Sequence, residues 1–253
     1  MRHLEGKVCV ITGAAGAIGR AAVEVFRREG ATIVGVDREG EVDCDLFVTA
    51  DLVDEHSVGG LYDRVAREVG AVDVLFNNAG IVASADRSIL DTELATFNQV
   101  LAVNVTSIFL CCKHGITHLL ASGGGSVITT SSLTAVAGSA ESQIAYTASK
   151  GAVLALTREL AVEFASRGVR ANSLCPGPVE TPMLRSLFTP AEANRRLQRI
   201  PVGRFARAAE LAEAAAFLAS DRSSYITGTD FLVDGGITAA NLTPDSGEHR
   251  PSS

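Results

Sequence analysis

The sequence predicts an α/β fold in which a doubly wound parallel sheet forms a single domain. Three observations predict it. Apolar runs of strand length alternate with segments of helical spacing along the chain. Those runs are apolar throughout rather than alternating, as in strands covered on both faces by helices. The first run passes through a glycine-rich turn straight into a helix, and right-handed crossovers then place helices on both faces.

Each element has its own signal. "KVCVIT" is the first strand and "TGAAGAIG" the turn after it. "RAAVEVFRREG" has helical spacing and stops at Gly30. "ATIVGVD" and "LFVTADL" are the second and third strands, and "EHSVGGLYDRVAREVG" is a helix weakened by its glycine pair. "VDVLFNNAG" is the fourth strand, followed by a long helix over about 92–121 and the fifth strand, "GSVITTSS". A helix over 146–167 leads into the strand "VRANSLCPG". A loop with short helices covers about 177–200, "AAELAEAAAFLAS" is helical, and "DFLVDGG" is the last strand. The domain is expected over 1–240. "NLTPDSGEHRPSS", residues 241–253, is polar, lacks periodicity and reads as a flexible tail.

Composition narrows the function classes. At 253 residues the chain can bury one large α/β core. Hydrophobic residues are 47% and charged residues 20%, and the net charge of −7 disfavours nucleic acid and anionic membrane as partners. No apolar run approaches the roughly 18 residues of a membrane span. The opening "MRHLEGKVCVITG" lacks a signal-peptide core, so a cytoplasmic protein is expected. The five cysteines, Cys9, Cys44, Cys111, Cys112 and Cys175, are irregularly spaced and read as reduced fillers, with Cys175 near a site loop. His114 and His118 are helix-spaced but lack an acidic third ligand, so no metal site is expected.

The chemistry lies in two groups of residues. Glycines at 13, 16 and 19 in a strand–turn–helix suit a Rossmann-like pyrophosphate site, where a helix N-terminus offers free N–H groups. Asp37 ends the second strand, 18 residues beyond Gly19, where an acid holds adenosine ribose hydroxyls. Its charge favours NAD over NADP, although Arg38 beside it offers a phosphate partner. The second group is "YTASK", which sets Tyr146 one helical turn before Lys150. An exposed helical pair is the ordinary reading of that spacing. The functional one is a tuned phenol: an ammonium about 5 Å away, at an effective dielectric of about 20, favours phenolate by roughly 3 kcal/mol, about two pK units. Asn104 lies in the mostly apolar "VLAVNVTSIFL", where a buried amide needs partners.

With "TGAAGAIG", "NNAG", Asn104, "TSS", "YTASK" and "PGPVET" in chain order, the sequence resembles the compact, single-domain short-chain dehydrogenases/reductases over residues 5 to about 237. The resemblance implies an NAD-dependent oxidoreductase interconverting a secondary alcohol and a ketone. It implies that Gly13, Gly16, Ile18 and Gly19 line the pyrophosphate turn, that Asp37 meets the ribose, and that Asp51 and Leu52 meet the adenine. Asn78, Ala79 and Gly80 would border the adenosine ribose and support the sheet. Val179 and Thr181 would contact the carboxamide. Tyr146 would be the acid/base, Lys150 the nicotinamide-ribose ligand, Ser132 the donor to the substrate oxygen, and Asn104 the anchor of a water in a proton relay.

Three departures stand out. Ala17 occupies a usual glycine position. Ser132 lies fourteen residues before Tyr146 instead of thirteen, which leaves Ser131 as an alternative. "REGEVDCDLFVT" is too short for the helix often found between the second and third strands. The substrate is not readable. Ile81, Leu133, Gln143, Met183, Leu184, Leu187 and Phe188 suggest an apolar or alicyclic body, while Arg185, Arg195, Arg196 and Arg199 would bind an acid or simply be solvated. "SIFLCC" and "GAVLAL" carry more apolar surface than one sheet face covers, and a homotetramer is expected.

Overall fold

The computed structural model describes residues 2–139, 141–181 and 189–240. Seven parallel strands form one sheet in the order β3-β2-β1-β4-β5-β6-β7. They are β1 (Val8–Thr12), β2 (Thr32–Asp37), β3 (Leu46–Thr49), β4 (Val74–Asn77), β5 (Gly125–Thr130), β6 (Val169–Pro176) and β7 (Asp230–Val233). The order reverses between β1 and β4, which pair from Cys9 with Val74 to Ile11 with Phe76. That reversal opens a crevice at the carboxyl ends of the strands, where ligands of such sheets bind.

Helices cover both faces. α1 (Ala17–Arg28) lies on one side, while α2 (Glu55–Glu68), α3 (Leu94–Leu101), α4 (Ser107–Ala121) and α5 (Ile144–Phe164) build the other. α6 (Pro190–Leu197) leads to α7 (Ala208–Ala219), which packs beside α1. The core divides accordingly. Val23, Phe26, Ile33, Phe76, Leu174 and Leu211 pack on the α1/α7 face. Val34, Leu61, Leu75, Ile108, Leu119 and Val153 pack on the other. The expected absence of a helix between β2 and β3 holds: residues 38–45 form bends and irregular chain.

The long helix expected over 92–121 is interrupted. A π-helical turn, Ala102–Thr106, joins α3 to α4. The combined Leu94–Ala121 segment has a window of mean hydropathy 1.5 and is long and apolar enough to span a membrane. This departs from the expectation of no span-length segment: polar residues such as Asn98, Asn104 and Lys113 are scattered through it, so its mean stays high although no apolar run within it is long. Most of "SIFLCC" is consumed by the chain's own core: Ile108, Leu110, Cys111 and Cys112 are buried. Phe109, at 49% exposure, and Leu94, at 70%, face outward. Residues 241–253 lie outside the described residues.

Candidate active site

The amino-terminal side of the crevice is built from backbone. Gly13 takes φ +65°, and a Cβ on Gly19 would stand 2.0 Å from the Gly13 carbonyl, so the turn closes only around glycines there. Gly16 caps α1 with ordinary extended angles, and α1 begins at Ala17, which accommodates the missing glycine. No side chain caps this helix and no acid stands in its first turn. The first N–H groups around Ile18 and the positive dipole end are therefore left for an anion. The Asp37 carboxylate sits at the rim, accepting from Ala15 N–H at 3.0 Å and Arg38 N–H at 2.8 Å. The Arg38 guanidinium is exposed and pairs with Glu39 at 3.6 Å.

Nearby polar groups are spent on the frame. Asn78 Nδ2 donates to Thr12 O at 3.2 Å, and its Oδ1 accepts from Thr130 Oγ1 at 3.3 Å, tying β1 to β5. Thr12 Oγ1 accepts from the N–H groups of Asn78 and Ala79. Asp51 caps Val53 N–H at 3.1 Å, while Leu52 packs against the core. An uncapped helix start, a close-packed glycine turn and a carboxylate at its rim fit a nicotinamide dinucleotide.

The other side is built from buried side chains at the end of β5 and on α5. Neighbouring strand residues face opposite ways, and the two serines separate on that rule. Ser131 Oγ donates to the Lys150 carbonyl at 2.9 Å, facing the helix. Ser132 lies beside the Tyr146 phenol, where its hydroxyl favours phenolate, and its Oγ accepts from Thr134 N–H at 3.2 Å and Thr134 Oγ1 at 3.1 Å. With two donors on its lone pairs, the Ser132 hydroxyl has one hydrogen left, and it is shared between the Tyr146 phenol and whatever oxygen enters beside it.

Lys150 is 3% exposed, donates from Nζ to Thr130 O at 2.7 Å, and stands 5.6 Å from the Tyr146 ring centroid. Burial pushes its pKa down to about 8. Here the structure corrects an expectation. An ammonium a turn away is expected to lower the phenol, but within the protein the Tyr146 pKa is raised. Part of the ring faces the crevice, yet the surrounding protein costs phenolate more in lost hydration than the Ser132 hydrogen bond returns. Lys150 lies over the ring face rather than on the oxygen. Cys175 is fully buried and its thiol is pushed up to about 12, mainly by burial, so it is not a reactive thiolate.

Asn104 occupies the middle of the π turn and is fully buried. Its Oδ1 accepts from Ile81 N–H at 2.8 Å, and its Nδ2 donates to Ile81 O and to Ser149 Oγ, both at 3.0 Å. Both amide hydrogens are thus committed, and only acceptor capacity remains for a water. A Cβ on Gly80 would stand 3.2 Å from Asn104 Oδ1 and 3.3 Å from Lys150 Nζ, so these groups crowd the same point.

The family model described as Enoyl-(Acyl carrier protein) reductase matches residues 13–238, almost the whole of this architecture. The chain belongs to the short-chain dehydrogenase/reductase family. It is 40% identical over 245 residues to the cis-4-hydroxycyclohexanecarboxylate dehydrogenase of Sinomonas cyclohexanicum, covering 92% of this chain and 97% of that one. It is 37% identical over 248 residues to the mitochondrial borneol dehydrogenase of Lavandula x intermedia, covering 95% and 94%. A solved short-chain type dehydrogenase/reductase from Mycobacterium marinum superposes with a TM-score of 0.86 at 32% identity, covering 94% of this chain and 97% of that one. As a short-chain dehydrogenase/reductase the chain is an oxidoreductase of the group acting on CH–OH donors, and the family implies NAD or NADP.

The substrate side of this family member is partly described. Ile81, Leu133 and Gln143 are half-buried. Val179 is buried and bridges to Ala206, with Thr181 half-buried beyond it. Met183, Leu184, Arg185, Leu187 and Phe188 lie outside the described residues. Arg195 and Arg199 are exposed, and Arg196 pairs with Glu141 at 3.0 Å. Sequence reasoning missed three residues. Arg20 donates to Ala15 O and Glu41 O, strapping the glycine turn to the loop after β2. Thr134 orients Ser132, and only its two-residue offset from that serine hints at this. Asp86 holds the start of α5; the signal was that "SQIAY" offers no capping side chain at Gln143.

Proposed function

We propose that this enzyme interconverts an alicyclic secondary alcohol and its ketone, with NAD preferred over NADP. The observation that carries the reading is the buried Lys150 amine 5.6 Å from the Tyr146 ring, with Ser132 beside the phenol, at the same crevice as the uncapped start of α1. Bound nicotinamide supplies the hydride acceptor or donor. Gly13, Gly16, Ile18 and Gly19 would cradle its pyrophosphate, and Asp37 would take the adenosine ribose hydroxyls and repel a 2′-phosphate. Asp51, Leu52, Asn78 and Gly80 would border the adenosine, Lys150 the second ribose, and Val179 and Thr181 the carboxamide.

Ser132 donates to the substrate oxygen, and Tyr146 passes a proton to or from it. In the protein's own field the phenol is the favoured form, so Tyr146 is ready to protonate a developing alkoxide. Acting as a base it needs positive charge nearby, which Lys150 provides while protonated. Asn104, with spare acceptor capacity beside Lys150 Nζ, holds the water that refills the proton. A ring-shaped substrate is supported by the apolar Ile81 and Leu133 and by the name of the Sinomonas relative.

The same reading makes the enzyme a cytoplasmic homotetramer. Five unpaired thiols suit a reducing compartment, and the outward Leu94, Phe109 and Val162 supply apolar contact surface. An active monomer in light scattering would end the oligomer proposal. The central test is a panel of ring alcohols and ketones with NAD and NADP, read by absorbance of the reduced nicotinamide. Accumulation with a ring alcohol is the expected result. Nucleotide binding with no turnover on any substrate would instead favour a nucleotide-sensing role.

A further inference from the structure

α5 opens without a cap of its own. Its N-cap residue, Gln143, makes no side-chain capping bond, and the first intrahelical bond there runs from Thr147 N–H to Gln143 O at 2.9 Å. Three earlier N–H groups need acceptors, and all three find them on one segment some sixty residues upstream. Ile144 N–H donates to Arg87 O at 3.2 Å. Ala145 N–H donates to Asp86 Oδ1 at 2.9 Å, and Tyr146 N–H to Asp86 Oδ2 at 2.8 Å.

Asp86 is 6% exposed, and among the described residues no ion pair involves it. A buried carboxylate without a cation is costly unless its oxygens are otherwise satisfied, and here two backbone N–H groups at a helix start do so. The segment that carries it is itself braced: Asp86 N–H donates to Ala83 O at 3.0 Å and Arg87 N–H to Thr92 Oγ1 at 2.9 Å. The next turn of α5 has a separate anchor on β5, through Lys150 Nζ to Thr130 O and Ser131 Oγ to Lys150 O. Tyr146 and Lys150 are therefore held from different sides.

We infer that Asp86 is a positioning residue for Tyr146. It clamps the first turn of α5 to the loop after β4, and so fixes the phenol against Ser132 independently of Lys150. This rests on the reading of Tyr146 as the acid/base. The loop it belongs to also carries Ile81, whose N–H and C=O are both held by Asn104, so the clamp ties that braced segment to the proton-transfer group.

The test uses the full chain with Asp86→Ala and Asp86→Asn. Asparagine keeps one oxygen for one N–H but turns an NH2 against the other. A misplacement near 1 Å costs roughly 100-fold in rate, so kcat should fall by at least about tenfold in Asp86→Ala and less in Asp86→Asn. NAD affinity should hold, because Lys150 keeps its β5 anchor. Amide exchange should quicken at residues 144–147 and stay slow at 150–157. Unchanged kcat despite faster exchange overturns the inference, as does a parallel loss of kcat and NAD affinity. If Asp86→Ala does not fold, Asp86→Asn carries the same readouts. A wild type without turnover on any ring alcohol overturns the proposed function instead. Exchange alone then decides the clamp: faster opening of 144–147 in the variant keeps it, and equal exchange removes it.

Discussion

The two sides of the crevice recognise by different means. On the β1–α1 side the groups offered to a ligand are main-chain N–H groups and a rim carboxylate, and the side chains around them brace the frame. On the β5–α5 side the groups offered are side chains whose ionisation the protein has moved: the half-buried Tyr146 phenol upward and the buried Lys150 amine downward. A backbone cradle binds without storing strain or shifted charge. The buried lysine costs stability wherever its amine is charged, while the half-buried tyrosine is neutral in both folded and unfolded chains near pH 7 and costs none there. Substitutions on the first side should therefore alter which nucleotide binds and how tightly, and those on the second should alter rate and pH response.

The sharpest way to break this contrast is Tyr146→Phe. Loss of the proton-transfer group should lower turnover by about 10²–10⁴-fold while NAD binding, measured by titration, persists. Retained turnover on a competent substrate would remove Tyr146 from the chemistry. Next in size are the serines. Ser132→Ala should reduce kcat by about 100-fold through loss of the donor to the developing oxyanion. Ser131→Ala should act mainly on melting temperature, because its hydroxyl is spent on the Lys150 carbonyl. The reverse ranking would transfer the role to Ser131.

Lys150→Met sharpens the comparison through stability. Between pH 8 and 10.5 the unfolded chain holds a proton on this amine that the folded chain does not, so wild-type stability should rise with pH across that window. Below it, the buried ammonium costs on the order of 3 kcal/mol, at about 1.4 kcal/mol per pK unit. Lys150→Met should therefore be less active, bind NAD more weakly, and melt relatively higher at pH 7, with that advantage shrinking from pH 8 to 10.5. Thermal melts at pH 7 and 10 check the sign; a widening gap would show that Lys150 is not held against its charge. The smallest effect belongs to the cradle side. If NAD is the preferred nucleotide as proposed, Asp37→Ala should narrow that preference over NADP by roughly tenfold with kcat little changed, since one charge contact is lost. Faster wild-type turnover with NADP at equal low concentration would point to Arg38 instead.

What the sequence made legible follows the same division. The sheet, its helices and the glycine turn are local patterns: "KVCVIT" and "ATIVGVD" are apolar because both faces are covered, and they pair from Val8 with Thr32 to Thr12 with Val36. The positions of Asp37, Ser132, Tyr146 and Lys150 at one crevice follow from that order. What stayed hidden is set by distant partners. Nothing around Tyr146 says that its N–H is taken by Asp86, or that burial raises its phenol. Nor does "VLAVNVTSIFL" show its π turn, since its apolar residues suit an unbroken helix equally well.

That turn also bears on chain length. Ala102–Thr106 closes its hydrogen bonds one residue later than the α-helices on either side. Delete a single residue within it and α3–α4 becomes one regular helix with every bond made, a repair by the standards of helix energetics. Yet each residue turns a helix by roughly 100°, so the repair would swing α3 about its axis relative to α4 and draw Asn104 away from Ile81 and Ser149. The surplus residue works as a spacer whose worth is angular. Between Leu94 and Ala121 the chain should accept changes of residue type far more readily than any change in residue number.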